Sequence, residues 1–228
     1  VLPLFIGERA VVANHAESGR ALRSFQGEHR LEKILTQLRK GDFVLIQFGH
    51  NDQKEKGEGA GAFTTYAKRL REYVGAIREK KGNPILITPV ARRRFDSAGQ
   101  VVETLGDYPE AVRRVAAELK VPLVDLNASS KRLYQALGEE KSKLALLHIP
   151  AGTYPGQTEP IADNTHFSAY GAYEMARCVA EALREAEPAL AAHLRPSLPR
   201  FDPTHPDDPA KVVIAPSPYV KSEKPEGK

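Results

Sequence analysis

The stretch Asp42-Phe-Val-Leu-Ile-Gln-Phe-Gly-His-Asn-Asp52 joins an apolar run to a polar turn. Residues 42–48 are apolar almost throughout, which indicates a strand covered on both faces, as in a parallel sheet. A glycine directly after such a strand lets the backbone turn sharply. Because ligand sites of open α/β sheets lie at the carboxyl ends of the strands, we expect residues 49–52 at such a site.

Further strands are predicted on both sides of this stretch, at residues 10–14, 84–88 and 121–126. Amphipathic helices are predicted between them, because apolar residues recur at positions i, i+3, i+4 and i+7 in the intervals 31–38, 70–77 and 112–119. A last helix is predicted at residues 169–187. This alternation is typical of an α/β fold with helices on both faces of the sheet.

The chain has 228 residues, a net charge of +4 and one cysteine. This length favours one domain, predicted at residues 1–194, followed by a tail rich in proline and charge at residues 195–228. Cys178 forms no intrachain disulfide and is expected to be buried. The mild, scattered charge argues against a nucleic-acid surface, and no run of about 18 apolar residues predicts a membrane span. No basic leader precedes Val1, so the compartment stays open.

A second polar segment, Asp163-Asn-Thr-His166, is predicted on a loop that leads into the last helix. An Asp three residues before a His can hold the imidazole Nδ1 and leave Nε2 free as a general base. Taken alone, this spacing most often marks a helix cap followed by an incidental histidine. Asn51 can join a glycine amide in an oxyanion hole, although a simple turn at residues 51–52 is the alternative.

Other polar clusters have competing interpretations. Arg92-Arg93-Arg94 follows a predicted strand and could bind uronate carboxylates, but a solvated loop is favoured. His50 could line a pocket or be a structural histidine. Residues 57–61 lack the ending of a phosphate-binding loop and are interpreted as a linker. The dispersed histidines argue against a zinc site.

Three blocks resemble the SGNH (GDSL-type) hydrolases when they are taken in order. They are residues 18–25, residues 47–54 and residues 163–171, which resemble the second, third and fifth blocks of that family. Within the family, the chain is similar to the rhamnogalacturonan acetylesterase-like branch over about residues 8–175. The resemblance implies a three-layer α/β/α, flavodoxin-like fold with a parallel sheet. It also implies the removal of acetyl groups from pectic polysaccharide without a metal or cofactor.

The resemblance implies a role for each matching residue. Gly19 would supply a backbone donor and Asn51 a side-chain donor to the oxyanion. His166 would be the catalytic base, and Asp163 would orient it. His50, Arg92 and Arg93 are the candidates for substrate binding.

The chain departs from the family at the nucleophile. The family's serine lies in a Gly-Asp-Ser block upstream of the position of Gly19, but only 18 residues precede Gly19 here and none forms that block. Ser18 and Ser24 belong to the second block, on the wrong loop. We therefore expect that N-terminal truncation has removed the nucleophile, the first strand and any secretion signal, and that the chain as printed is inactive.

Two alternatives stay open at this point. The same scaffold could act on lipid or small-molecule esters, although polar strand-end loops and the absence of a long apolar lid argue against lipids. The chain could also be a non-catalytic carbohydrate-binding remnant. The resemblance makes a secreted or periplasmic location plausible, whereas the oligomeric state is not addressed by the sequence.

Overall fold

The central sheet of the computed structural model, which describes residues 1–214, has three parallel strands in the order β1-β2-β3. They are β1 (Phe43–Gln47), β2 (Asn83–Ile87) and β3 (Leu123–Val124). β1 and β2 pair along their whole length, from Phe43 opposite Asn83 to Gln47 opposite Ile87. The strands predicted at residues 42–48 and 84–88 are therefore confirmed.

Helices occupy the intervals in which the periodicity predicted them. The described residues form α1 (Leu22–Gly27), α2 (Arg30–Gln37), α3 (Ala67–Glu79), α4 (Tyr108–Leu119), α5 (Leu126–Lys141), α6 (Ala169–Ala186) and α7 (Pro188–Ala191). A π-helical turn at Ala62–Tyr66 leads directly into α3, and 3-10 turns lie at Leu2–Phe5, Asp52–Lys54 and Ser142–Ala145.

Both faces of the sheet are covered, which confirms the three-layer α/β/α fold. Leu86 of β2 packs in a core with α1, α2, α3 and α4, whereas Ile85 and Ile87 pack in a second core with α5 and α6. Successive side chains of a strand point to opposite faces, so a buried strand needs apolar residues at every position. This requirement explains the continuous apolar sequence of β2.

The strand predicted at residues 10–14 is wrong. These residues have no strand conformation, and Val11 is 92% exposed. A short apolar run becomes a strand only where another strand supplies ladder partners, and residues 10–14 have none among the described residues. Gly19 therefore follows an irregular segment and not a strand.

The strand predicted at residues 121–126 is shorter than expected, because only Leu123 and Val124 pair with β2. Asp125 ends it by capping α5, since its carboxylate accepts the backbone N–H of Ala128 at 3.2 Å. The same carboxylate accepts the Thr88 hydroxyl at 2.9 Å and an Arg113 N–H at 2.9 Å. A half-buried cap thus ends the strand and begins the first turn of helix α5.

An antiparallel ribbon of two strands lies outside the central sheet. It consists of β4 (Leu146–Ile149) and β5 (Ile161–Phe167), with Leu146 opposite Phe167 and His148 opposite Ala162. The loop predicted for Asp163–His166 is therefore wrong, because this segment lies within β5. Helix α6 begins at Ala169, immediately after the ribbon, which confirms the helix predicted at residues 169–187.

The outer edge of β1 has no strand partner within residues 1–214. The predicted loss of a first strand stays a prediction. Residues 195–208 pack on α6, where Arg177 donates to the Asp207 carboxylate at 2.6 Å and Phe201 is buried. The domain boundary at residue 194 also stays a prediction, and residues 215–228 of the predicted tail lie outside the described residues.

One prediction made from the composition, the burial of the single cysteine, is confirmed by the fold. Cys178 is buried in α6, as predicted for a small apolar core residue. Of the helices between Val1 and Ile214, none is long and apolar enough to cross a membrane.

Candidate active site

Asp163 and His166 form a hydrogen-bonded pair on β5. His166 Nδ1 lies 2.6 Å from Asp163 Oδ2, and Asp163 Oδ1 accepts the backbone N–H groups of Thr165 at 2.7 Å and of His166 at 3.0 Å. Although partial burial acts in the opposite direction, hydrogen bonds from His166 and Thr165 hold the pKa of Asp163 below its usual value. An ionised Asp163 fixes Nδ1 as the donor, so Nε2 is the nitrogen that can act as a base.

Gly49 begins the turn at the carboxyl end of β1, where φ is 138°. A Cβ atom at this position would lie 2.8 Å from both Cβ and Cγ of Pro89. Only glycine combines this conformation with such a close approach to the segment that follows β2. Gly49 therefore holds two strand-end loops against each other.

Asp52 is the main connector between the polar loops, and sequence reasoning missed it as a functional residue. Its carboxylate is 2% exposed and accepts the backbone N–H groups of Leu22 at 2.9 Å and of Gly49 at 3.0 Å. Tyr108 donates to its backbone carbonyl at 3.1 Å. Burial, opposed by these backbone hydrogen bonds, raises the pKa of Asp52 from 3.8 to about 6. One carboxylate thus ties the segment after Gly19 to the turn after β1.

The raised pKa of Asp52 predicts a specific pH dependence of stability. Because the folded state binds this proton more tightly than the unfolded state, the stabilisation is present below about pH 4 and is lost as the pH rises through 6. This loss amounts to about 3 kcal/mol in the free energy of unfolding. We expect the free energy of unfolding of Asp52→Asn, measured by urea unfolding, to lack this decrease of about 3 kcal/mol between pH 4 and pH 7.5. The exposed Glu58→Gln is the control, and equal slopes in wild type and Asp52→Asn would contradict the assignment.

Asn51 and Gly19 lie near one another, as the oxyanion hypothesis requires. Asn51 Nδ2 lies 3.4 Å from the carbonyl oxygen of Arg20, the residue after Gly19, and Asn51 Oδ1 accepts Lys54 Nζ at 3.0 Å. A side-chain amide has two N–H donors, so Asn51 keeps one for another acceptor. Gly19 is exposed and has a φ of 76°, and its missing Cβ would meet no atom within 4 Å. Its backbone amide can therefore be approached by a ligand.

His50 follows Gly49 in the turn after β1, and its backbone carbonyl accepts an Arg92 N–H at 3.4 Å. Burial first, and then the charges of Arg92, His166 and Lys54, lower the pKa of His50 to about 4, against a hydrogen bond with Val90. The charges of Arg92 and His166 both act on this imidazole, so both side chains lie in its neighbourhood. His50 is neutral at physiological pH and can line a pocket without adding charge.

The solvated loop favoured for Arg92-Arg93-Arg94 is wrong for Arg93, which is 7% exposed, and Arg92 is half-buried. Arg93 donates to Ser142 Oγ at 2.8 Å, to Asn164 Oδ1 at 3.0 Å and to the carbonyl of Glu139. Its backbone N–H also donates to the carbonyl of Asn164 at 2.9 Å. Arg93 therefore connects the end of β2 to the strand that carries Asp163 and His166.

Asn164 is a second residue that sequence reasoning missed. Its Oδ1 lies 3.0 Å from His148 Nε2 on β4, in addition to its bond with Arg93. Asn164 and His166 lie two positions apart on the exposed face of β5. The position of Asn164 between Asp163 and His166 was the one sequence feature that could have indicated its importance. Its partners Arg93 and His148 are distant in the sequence.

Within residues 1–214, no hydroxyl group hydrogen-bonds to His166 Nε2. Ser24 Oγ caps α1 through the backbone of Ala21, and Ser168 Oγ donates to the carbonyl of Leu144 at 2.6 Å. Ser18 is exposed, and its hydroxyl makes no bond to a described residue. The described residues thus hold the Asp163–His166 pair without a serine hydroxyl hydrogen-bonded to His166 Nε2.

The described part of the chain also holds no group of three or more His, Cys, Asp and Glu side chains arranged to bind a metal ion. The Asp163–His166 pair is a carboxylate hydrogen-bonded to an imidazole, a combination that can transfer a proton.

Comparison with known proteins identifies the family. Residues 4–173 match the GDSL-like Lipase/Acylhydrolase family. The chain belongs to this family of acylhydrolases. The match includes Gly19, the Gly49–Asp52 turn and the Asp163–His166 pair, and it confirms the resemblance drawn from the three sequence blocks.

Similar proteins place the chain near one branch of the GDSL-like family. It is 43% identical over 187 residues to rhamnogalacturonan acetylesterase RhgT of Bacillus subtilis, covering 82% of this chain and 80% of that protein. The predicted likeness to the rhamnogalacturonan acetylesterase-like branch and the classification as a carboxylic ester hydrolase are thereby confirmed.

Solved structures support the fold assignment. The crystal structure of the YxiM protein of Bacillus subtilis has a TM-score of 0.69 and 27% sequence identity, covering 82% of this chain but 49% of that chain. This GDSL-like chain therefore spans about half of that protein. A catalytic mutant of the acetylxylan esterase Axe2 of Geobacillus stearothermophilus has a TM-score of 0.51 at 23% identity, covering 75% of this chain and 69% of that one. This second likeness concerns the fold alone.

Proposed function

We propose that these residues carry the base and the oxyanion donors of a serine esterase that removes acetyl groups from rhamnogalacturonan. The observation that carries the proposal is the Asp163–His166 pair at 2.6 Å, on a strand that Arg93 joins to the end of β2 through Asn164. The 43% identity with an enzyme named rhamnogalacturonan acetylesterase supports the substrate.

The proposed mechanism is acyl transfer through a covalent intermediate. A serine oxygen attacks the acetyl carbonyl carbon while His166 Nε2 accepts its proton. The backbone N–H of Gly19 and the free amide N–H of Asn51 stabilise the oxyanion. His166 then protonates the sugar oxygen as it leaves, and a water molecule activated by His166 hydrolyses the acetyl-enzyme. Asp163 stabilises the imidazolium formed in both steps.

The nucleophile is the part of this mechanism that the described residues do not supply. We propose that residues 1–228 alone are inactive, because loss of the nucleophile of a hydrolytic triad lowers turnover by about a million-fold. The experiment expresses the natural coding sequence, with any sequence upstream of Val1, beside residues 1–228 alone. We expect the longer protein to release acetate from acetylated rhamnogalacturonan and the 228-residue chain to release almost none.

The same assay tests the substrate class. Long-chain acyl esters and small acetate esters should be hydrolysed with a lower kcat/KM than the acetylated polysaccharide. A preference for long acyl chains would contradict the proposed substrate and favour a lipid esterase.

A second candidate is a non-catalytic carbohydrate-binding remnant. The observation that favours it is the absence of a hydroxyl at His166 Nε2 within residues 1–214. Binding of the polysaccharide without acetate release by the longer protein would support this candidate and overturn the esterase.

A further inference from the structure

Three consecutive arginines line an open cleft beside the candidate active site. Arg92, Arg93 and Arg94 follow β2, and the cleft has a volume of about 440 Å³. Thr104 and Asn164 complete its lining, so no carboxylate belongs to it. The concentration of positive charge in a concave surface predicts an anionic ligand.

Arg92 donates only to neutral groups. Its Nη1 lies 2.9 Å from Gln53 Oε1 and 3.2 Å from the carbonyl of Thr104, and its Nη2 lies 3.4 Å from the carbonyl of His50. Burial lowers the pKa of Arg92, although Glu103 acts in the opposite direction. A partly buried cation held by neutral oxygens keeps an uncompensated charge.

Two carboxylates that interact electrostatically with these arginines already have lysine partners. Glu103 accepts Lys131 Nζ at 2.9 Å, and Glu140, whose pKa Arg93 helps to lower, accepts Lys143 Nζ at 2.8 Å. Arg93 also donates to neutral groups only, and Arg94 makes no guanidinium hydrogen bond or ion pair with residues 1–214. The three charges in the cleft thus have no acidic partner in this part of the chain.

The arginines of the cleft differ from those surface arginines that are paired with carboxylates. Arg71 forms two bonds with the Glu118 carboxylate, at 2.9 and 2.7 Å, and Arg113 forms two with Asp125. A guanidinium has five N–H donors in a planar fork that matches a carboxylate. All five N–H donors of Arg94 are free of partners within residues 1–214, so they are available to a ligand. The N–H donors of Arg92 that its three hydrogen bonds do not use are also available.

The cleft adjoins the position of the reacting ester. Asn164 lines the cleft and shares the exposed face of β5 with His166, at a separation of roughly 6.6 Å for two residues along a strand. An anion in the cleft and an acyl group at His166 can therefore belong to the same sugar chain.

We infer that this cleft is a carboxylate-binding subsite, in which Arg94 and Arg92 hold a uronate carboxylate of the substrate while Arg93 fixes the strand that carries His166. The subsite selects acidic acetylated polysaccharides over neutral ones. Its position relative to the acyl group rests on the proposed function, whereas the binding of the anion does not.

The test measures binding to the 228-residue chain, which needs no nucleophile. The probes are trigalacturonate and its methyl ester, titrated by calorimetry at fixed ionic strength. We expect the acid to bind at least tenfold more tightly than the ester, and Arg94→Gln to remove about tenfold of that affinity, because hydrogen bonds to charged groups are lost. Arg94→Lys keeps the charge but loses the fork, so it should restore only part of the affinity.

The matched control is Arg39→Gln, which removes the same charge from an exposed arginine whose side chain makes no bond to a described residue. It should leave trigalacturonate binding unchanged. Equal affinity for acid and ester, or equal losses in Arg94→Gln and Arg39→Gln, would overturn the subsite.

The outcome can be separated from that of the proposed function. Selective uronate binding by a protein expressed with any coding sequence upstream of Val1, if that longer protein releases no acetate, would leave the subsite standing and defeat the esterase. Equal kcat/KM for neutral and acidic acetylated oligosaccharides, unchanged by Arg94→Gln, would defeat the subsite and leave the esterase standing.

Discussion

Replacement of His166 by alanine should lower kcat for acetate release by about 10⁴–10⁶-fold in the protein expressed with any coding sequence upstream of Val1. His166 is the only described histidine that pairs with Asp163, and its Nε2 is the base of the proposed mechanism. KM should change little, because the imidazole acts on the transition state and contributes little to ground-state binding. Asp163→Asn should lower kcat by about 10⁴-fold, because the amide favours the wrong tautomer of His166.

The chain contains a matched control for this substitution. Asp202 and His205 repeat the Asp-x-x-His spacing, and His205 Nδ1 lies 3.2 Å from Asp202 Oδ2. This second pair lies beyond α7, where Asp202 also accepts from Arg132 at 3.2 Å. His205→Ala should retain wild-type kcat. Full activity in His166→Ala, or equal losses in both variants, would show that His166 is not the base.

Replacement of Gly171 by alanine should destabilise the fold by about 3–5 kcal/mol or prevent folding. A Cβ atom at Gly171 would lie 1.8 Å from the carbonyl oxygen of Ala145 and 2.6 Å from its carbonyl carbon. Because these atoms are backbone, no side-chain rotation relieves the contact. Helix α6 would have to move away from the turn at Ser142–Ala145, which Ser168 joins by a backbone bond of 3.1 Å to Ala145.

The consequence of that movement extends to the candidate site. Leu146 pairs with Phe167 at the end of the ribbon, so a displaced α6 would also displace the strand that carries His166. Urea unfolding measures the loss of stability. Gly75→Ala is the control, because Gly75 lies in the exposed part of α3 with nothing within 4 Å of its missing Cβ. It should stabilise the protein by about 0.5–1 kcal/mol, and a similar stability for the two variants would contradict the packing at Gly171.

The sheet and the helices were predictable because the spacing of apolar residues along the chain indicates which side chains are buried. The apolar runs of β1 and β2 are typical of strands covered on both faces. The ribbon was not predictable in the same way, since β5 contains Asp163, Asn164 and His166 and reads as a polar loop. Its strand conformation depends on pairing with β4, which lies outside any local window.

The candidate site was also predictable only where the evidence is local in the sequence. Gly19, Asn51, Asp163 and His166 were singled out because their residue types and order match one family. Asp52 was missed because its main partner, Leu22, lies thirty positions away in the sequence. Arg93 was interpreted as solvated because a run of charge is usually exposed, whereas Ser142 and Asn164 supply the acceptors that bury it.

The spacing of Asp163 and His166 was not decisive by itself. The chain contains the same spacing at Asp202 and His205, and both pairs are hydrogen-bonded. The Asp163–His166 pair differs from the Asp202–His205 pair in its surroundings. The charges of His166 and Arg92 both contribute to the lowered pKa of His50. A motif therefore predicts a function only together with the residues that the fold brings to it.

The central claim is that these 228 residues hold the base and oxyanion donors of an esterase but no nucleophile. The most direct measurement treats the 228-residue chain with a fluorophosphonate that reacts with activated serines, followed by mass spectrometry of its peptides. We predict no modified serine. Stoichiometric modification of Ser18, Ser24 or any other serine of the chain, abolished by His166→Ala, would contradict the claim and identify that serine as the nucleophile.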